Sequence, residues 1–196
     1  MSLSMEVYTR EIPAGIVEKL LKRLNEFDMT VEVHPEFEFD EMKDSGFVPF
    51  KFQFIGPAFG QLDGKQLMSG FELYIGSFDL AKAKEALRPK QGFLDRLLGR
   101  KKPEPPPFAP PEIEQRLKDC TKVTSFVWHG GDVFQLRFAL LTSAIFTELT
   151  NGLCCDPDDR SWLKNDNIAA KAFEQVCDYE ESLSNSLMEY SEFEGW

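Results

Sequence analysis

FKFQF, residues 50–54, sets the reading of this chain: Phe50, Phe52 and Phe54 fall on one side of an extended backbone, Lys51 and Gln53 on the other. A strand returns each side chain to the same face at every second residue, so this alternation predicts a strand with one buried and one wetted face. Upstream, Val31, Val33, Phe37 and Phe39 alternate with Thr30, Glu32, Glu36 and Glu38 around Pro35, and the same rule reads them as one strand. Downstream of the turn-rich stretch from Gly56 to Gly70, Phe71, Leu73 and Ile75 repeat the pattern. A short strand over residues 3–9 opens the chain, and Pro13 sits where a first helical turn tolerates it. Ile16, Val17, Leu20, Leu21, Leu24 and Phe27 then share one helical face, opposite Glu18, Lys19, Lys22 and Arg23. One helix followed by three or more alternating strands predicts an antiparallel sheet with the helix laid on its apolar side.

The second half begins after a helix over about 80–87 and a break in composition, RPKQGFLDRLLGRKKPEPPPFAPPE. Its prolines, Pro103, Pro105, Pro106, Pro107, Pro110 and Pro111, forbid a regular helix or central strand and favour extended polyproline geometry. Residues 89–111 are therefore read as a basic and Pro-rich linker or insertion. A helix near Pro111–Asp119 and a strand over Thr121–His129 follow, with Gly130 and Gly131 available for a tight hairpin. Phe134, Leu136, Phe138 and Leu140 alternate with Gln135, Arg137 and Ala139, which predicts a returning strand before Leu141, Ala144, Ile145 and Leu149 switch to helical spacing. Asn151 and Gly152 stop that helix. LCCDPDDRSWL is a short strand or loop, and a last helix runs from Asn167, a candidate N-cap, to Leu183. A lone hairpin is marginal in water, so the two halves are expected to pack as a single α+β domain over residues 1–196, an antiparallel sheet packed by helices with the Pro-rich stretch inserted.

Composition narrows function by exclusion. The 196 residues carry a formal charge of −11, which opposes wrapping around nucleic acid, where affinity comes from Lys and Arg displacing counterions. The same charge favours a basic protein partner. Four cysteines, Cys120, Cys154, Cys155 and Cys177, form no secreted disulfide framework. MSLSMEVYTREIP lacks an apolar leader core, and no stretch is long enough to cross a bilayer, so a cytoplasmic location is expected.

Catalytic material is sparse. His34 and His129 are the two histidines, and no spacing joins either to a nucleophile and a third orienting group. Cys154, Cys155, Asp156, Asp158 and Asp159 lack zinc or calcium-loop spacing, and Asp156 before Pro157 reads better as a turn opener. There is no GxxxxGK[ST] or GxGxxG, so Gly56, Gly60 and Gly64 are loop punctuation. No cofactor and no metal is expected.

Two segments remain as contacts for a partner. From Asp178 to Trp196 the chain has acidic residues and aromatics with no Lys or Arg. Tyr179, Glu180, Glu181, Glu189, Tyr190, Glu192, Phe193, Glu194 and Trp196 are its candidate partner-binding residues, since charge interleaved with aromatic rings makes interaction surfaces. From Gly92 to Lys102, Phe93, Leu94, Leu97 and Leu98 stand beside Arg100, Lys101 and Lys102, the composition of a docking helix or of a weak membrane contact.

The run FALLTSAIFTELTNGLCCDPDDRSW, Phe138–Trp162, resembles a pattern of bacterial α+β proteins that include immunity-like proteins found beside type VI or contact-dependent toxins. Leu149, Thr150, Asn151, Gly152, Asp156, Pro157 and Trp162 carry the likeness, about an eighth of the chain; Cys154 and Cys155 stand where the pattern more usually has aliphatic or aromatic residues. The resemblance implies a cytoplasmic protein whose partner is a protein, a cognate bacterial toxin, and assigns no catalytic residue. The function expected is therefore binding: an immunity or regulatory protein that masks a basic toxin or enzyme. The alternatives are an enzyme with a dispersed site, such as His129, Asp156 and Glu180, or a membrane-peripheral scaffold using residues 92–102.

Overall fold

The computed structural model describes residues 2–37, 39, 46–90, 102–163, 166–183 and 188–196. Among these, the strands are β1 (Ser2–Thr9), β2 (Met29–Val33), β3 (Gly46–Phe54), β4 (Leu67–Ser77), β5 (Lys122–His129), β6 (Leu153–Asp156), β7 (Ser161–Trp162) and β8 (Ser191–Glu192). The helices are α1 (Ile16–Leu24), α2 (Leu80–Ala86), α3 (Pro111–Leu117), α4 (Gln135–Thr150) and α5 (Ile168–Ser182), with a 3₁₀ turn over Pro57–Leu62.

All eight strands join one sheet in the order β2-β3-β4-β5-β1-β6-β7, with β8 added to β4, and every pairing is antiparallel. The α+β class read from the sequence is the class found. The two halves also share this sheet: β4 pairs with β5 across the Pro-rich stretch, and β1 lies between β5 and β6.

One face of the sheet carries the main core. Phe50, Phe52 and Phe54 of β3 point there, as do Phe71 and Leu73 of β4 and Phe126 of β5. α4 lies across them: the Phe138 ring stacks on Phe50 with centroids 4.8 Å apart and meets Phe52 edge-on at 5.0 Å. Offset and edge-on contacts of this kind add to the apolar area each ring hides. α1 and α5 flank α4. Part of the opposite face bears a second cluster, in which Tyr8, Leu117, Leu153 and Cys155 are buried beside Phe78, Phe108 and Trp162. Ala109 is buried there too, so the end of the Pro-rich stretch is docked on the sheet, fastened by Phe108 N donating to Glu114 Oε1 at 2.6 Å.

Several local expectations are corrected. Phe134–Leu140 is not a returning strand: Gly130 and Gly131 lead into α4, and Asp132 Oδ1 accepts the Phe134 N–H at 2.7 Å to open the turn into it. Phe138, Ala139, Leu141, Thr142, Ser143, Ala144, Ile145 and Phe146 are all buried, so this helix is enclosed on nearly every side and shows no polar stripe. β2 stops at Val33, where His34 and Pro35 turn the chain and Phe37 N donates to His34 O at 2.9 Å. Phe37 and Phe39 thus reach the core from outside the strand, Phe39 stacking on Phe146 at 5.1 Å. α1 ends at Leu24, not Phe27, because Asn25 turns away and its Oδ1 accepts Val31 N at 3.0 Å. Asn167 is left-handed at φ 57° and makes no side-chain cap for α5.

Candidate partner-binding surface

The wetted face of β3 and β4 is where aromatic side chains stand in the open. Phe47 is 50 % exposed and Tyr74 41 % exposed, next to the buried Val48 and Leu73 of their strands. Each is held in place. A Cβ on Gly70 would meet Val48 O at 2.0 Å and Phe47 Cζ at 2.8 Å, so only glycine lets the Phe47 ring lie across β4. Tyr74 Oη donates to Glu72 Oε2 at 2.8 Å, and His129 Nε2 lies 3.3 Å from Glu72 Oε1. Glu72 pairs in register with Phe47 on one side and Val127 on the other, which makes it the centre of this patch.

The C-terminal segment runs beside β4 and adds Phe193 and Trp196 to the same face, whereas Tyr190 packs against the main core on the other side. β8 pairs with Leu67 and Met68, and Phe193 N donates to Gln66 O at 2.9 Å. Lys65 Nζ contacts Tyr190 Oη at 3.1 Å and Glu192 Oε1 at 2.5 Å. The Glu192 contact, followed by that of Tyr190, raises the Lys65 ammonium above its ordinary pKa. Lys51 sits over the Phe193 ring at 5.3 Å and bonds Glu32 at 3.1 Å. Trp196, 46 % exposed, meets Phe193 edge-on at 5.1 Å and His34 at 5.2 Å. This acidic, aromatic segment is therefore tied to the sheet through lysines of β3 and of the turn before β4.

The residues predicted for partner contact separate into three places. Glu189, Tyr190, Glu192, Phe193, Glu194 and Trp196 belong to the segment beside β4, with Glu189 O accepting Val133 N at 3.2 Å. Tyr179 and Glu181 are exposed on α5. Glu180 is interior, only 4 % exposed, and grips Arg137 of α4 with both oxygens at 2.8 and 2.7 Å; it is unavailable to a partner. Of the second segment, Phe93, Leu94, Leu97, Leu98, Arg100 and Lys101 lie outside the described residues, while Lys102 is exposed. Phe47, Glu72, Tyr74 and His129 were not picked out as contact residues, although Phe47 and Tyr74 are aromatics at strand positions of the wet parity, which is a readable signal.

The residues named for a dispersed enzyme site are each engaged separately. His129 faces Glu72, Glu180 holds Arg137, and Asp156 Oδ1 accepts the backbone N–H groups of Asp158 and Asp159 at 2.9 and 3.4 Å. This last arrangement is the Asp-Pro turn expected from sequence. Burial pushes the thiols of Cys154 and Cys155 up to about 12, so neither supplies a thiolate near neutral pH. Among the described residues, no three His, Cys, Asp or Glu side chains are grouped to hold a metal ion, and no helix is long and apolar enough to cross a membrane. What the open face offers chemically is stacking, apolar contact and carboxylate acceptors.

No family model, curated protein or solved structure matches this chain significantly.

Proposed function

We propose that this chain is a protein-binding immunity or regulatory protein, working in the cytoplasm, that neutralises a cognate basic toxin or enzyme by covering its surface or active site. The observation that carries the reading is the open sheet face, where Phe47, Tyr74 and Trp196 stand 50 %, 41 % and 46 % exposed while each is fixed by a neighbour. Interface energy concentrates in aromatic anchors of this kind, and anchors already held in position lose little freedom on binding. Glu72 and Glu32 lie among them, and the formal charge of −11 would steer a basic partner toward the chain.

Co-expression of the tagged chain with the product of the neighbouring gene, followed by affinity capture, tests the proposal. A tight complex is expected, with association slowing as salt is raised. Phe47→Asp and Trp196→Ala should each weaken it about 10- to 100-fold while leaving the melting temperature nearly unchanged. Failure to form a complex, or full affinity in both variants, overturns the assignment.

A further inference from the structure

β1 has one complete partner and one partial one. β5 pairs with it along its whole length, from Ser2 opposite His129 to Thr9 opposite Lys122. β6 covers the other edge only from Glu6 to Tyr8, because the Asp156 turn takes the chain away. Among the described residues nothing pairs with the outer edge of Ser2–Met5. Free strand edges present a row of backbone donors and acceptors, and proteins usually cover or charge them.

Beside this edge lies a cleft of about 570 Å³ between β1, α4 and α5. Its apolar wall is formed by Leu3, Trp128, Leu136, Leu140, Ile168 and Ala172. Leu3 is 43 % exposed although it points to the helix-covered side of the sheet, so the wall is accessible from solvent at the edge itself. Asp156, Asp158 and Asp159 also line the cleft, against a single cation, Lys171.

We infer that this edge and cleft together take an extended peptide segment in which apolar side chains alternate with basic ones. Strand addition satisfies the free backbone groups of Ser2–Met5. The period of two then sends every second side chain of the added strand into the apolar cleft, while those between stay outside it, within reach of the carboxylates on the rim. An apolar small molecule would use the wall but leave the edge unpaired, and an acidic segment would meet three carboxylates. The site lies on the helix side of the sheet, away from the open aromatic face, and does not depend on the role proposed for that face.

The test is fluorescence anisotropy with a short labelled peptide of alternating leucine and lysine, alongside the leucine–glutamate peptide and two N-methylated leucine–lysine peptides, one methylated at the leucines and one at the lysines. The leucine–lysine peptide should bind and shift the amide resonances of Leu3–Met5. One of the N-methylated forms should lose binding, because its strand-pairing donors are blocked, and the glutamate peptide should bind at least about tenfold more weakly. The combined Asp158→Asn and Asp159→Asn variant should lose about threefold to tenfold, two exposed charge contacts being removed. Ala172→Trp, which fills the cleft, should abolish binding; if it also disturbs the fold, the N-methylated peptides and the Asn variant still decide. Equal binding by both N-methylated peptides or by the glutamate peptide overturns the inference. So does an apolar dye that occupies the cleft without being displaced by peptide, or a dimer in sedimentation that closes the edge with a second copy.

Discussion

Cys154 and Cys155 are adjacent in sequence and face opposite sides of the sheet, because consecutive strand residues do so. Cys154 pairs in register with Val7 and joins the main core, whereas Cys155 pairs with Glu6 and joins the cluster around Tyr8 and Trp162. Burial is the chief reason both thiols are pushed up to about 12, and the nearby carboxylates of Asp156 for both, and of Glu6 for Cys155, act in the same direction. Native protein treated with a disulfide dye at pH 8 is therefore expected to label at neither residue, and denaturation should release both at once. The linkage has a definite sign. The unfolded chain gives up these protons from about pH 8.5 upward and the folded chain holds them to about 12, so the unfolded state binds fewer protons over that interval and stability falls as pH rises through it. Cys154→Ala together with Cys155→Ala should flatten that alkaline decline in a series of denaturant melts. An unchanged slope would show that other groups produce it.

The contact between α4 and α5 turns on one ion pair. Arg137 is 3 % exposed, bonds both oxygens of Glu180, and places its guanidinium 5.0 Å from the Phe54 ring and 5.6 Å from that of Phe173. Removing one member leaves the other charge buried and unpaired, so Arg137→Met or Glu180→Leu alone should cost about 3–5 kcal/mol in urea unfolding. The double variant should lose far less than the sum, since nothing charged then remains inside. Additive losses would mean that the two side chains act through their separate packing. This pair also explains where the sequence misleads. In the run Phe134, Leu136, Phe138 and Leu140, Arg137 reads as the wet side of a strand, yet it is interior because a residue 43 positions away neutralises it. With its charge hidden and its small residues Ala139, Ser143 and Ala144 buried, α4 carries no polar stripe, and over its first turns an accidental alternation masks the helical spacing that Leu141, Ala144, Ile145 and Leu149 show further on. β3 and β4, by contrast, were legible because one side of each stays wet. The candidate surface was legible in the same measure: Phe193 and Trp196 stood out by composition, while Phe47 and Tyr74 acquire meaning only when Gly70 and Glu72 are placed beside them by strand register. Glu180 was drawn to that surface by its acidic neighbours, and only its partner on α4 removes it.

At the scale of the whole molecule, the chain order and the sheet order are interleaved. β1 comes first in sequence but lies between β5 and β6, and α4, from the second half, covers the phenylalanines of β3. A fragment of residues 1–88 would keep β2, β3 and β4 as a meander yet leave β1 without either neighbour and the apolar side of Phe50, Phe52 and Phe71 uncovered. A fragment of residues 104–196 would hold β5 and β6 with the place between them empty. Neither buries enough apolar surface to offset the entropy of ordering its backbone. Each fragment alone is therefore expected to lack near-ultraviolet circular dichroism and a cooperative melt. Co-expressed, they should associate through the β4–β5 and β1–β5 pairings and co-elute with a native-like spectrum, since the cut falls between α2 and α3 and severs no strand. A sharp, independent melt from either fragment would show that half to be a domain in its own right, and the Pro-rich stretch to be a true interdomain linker.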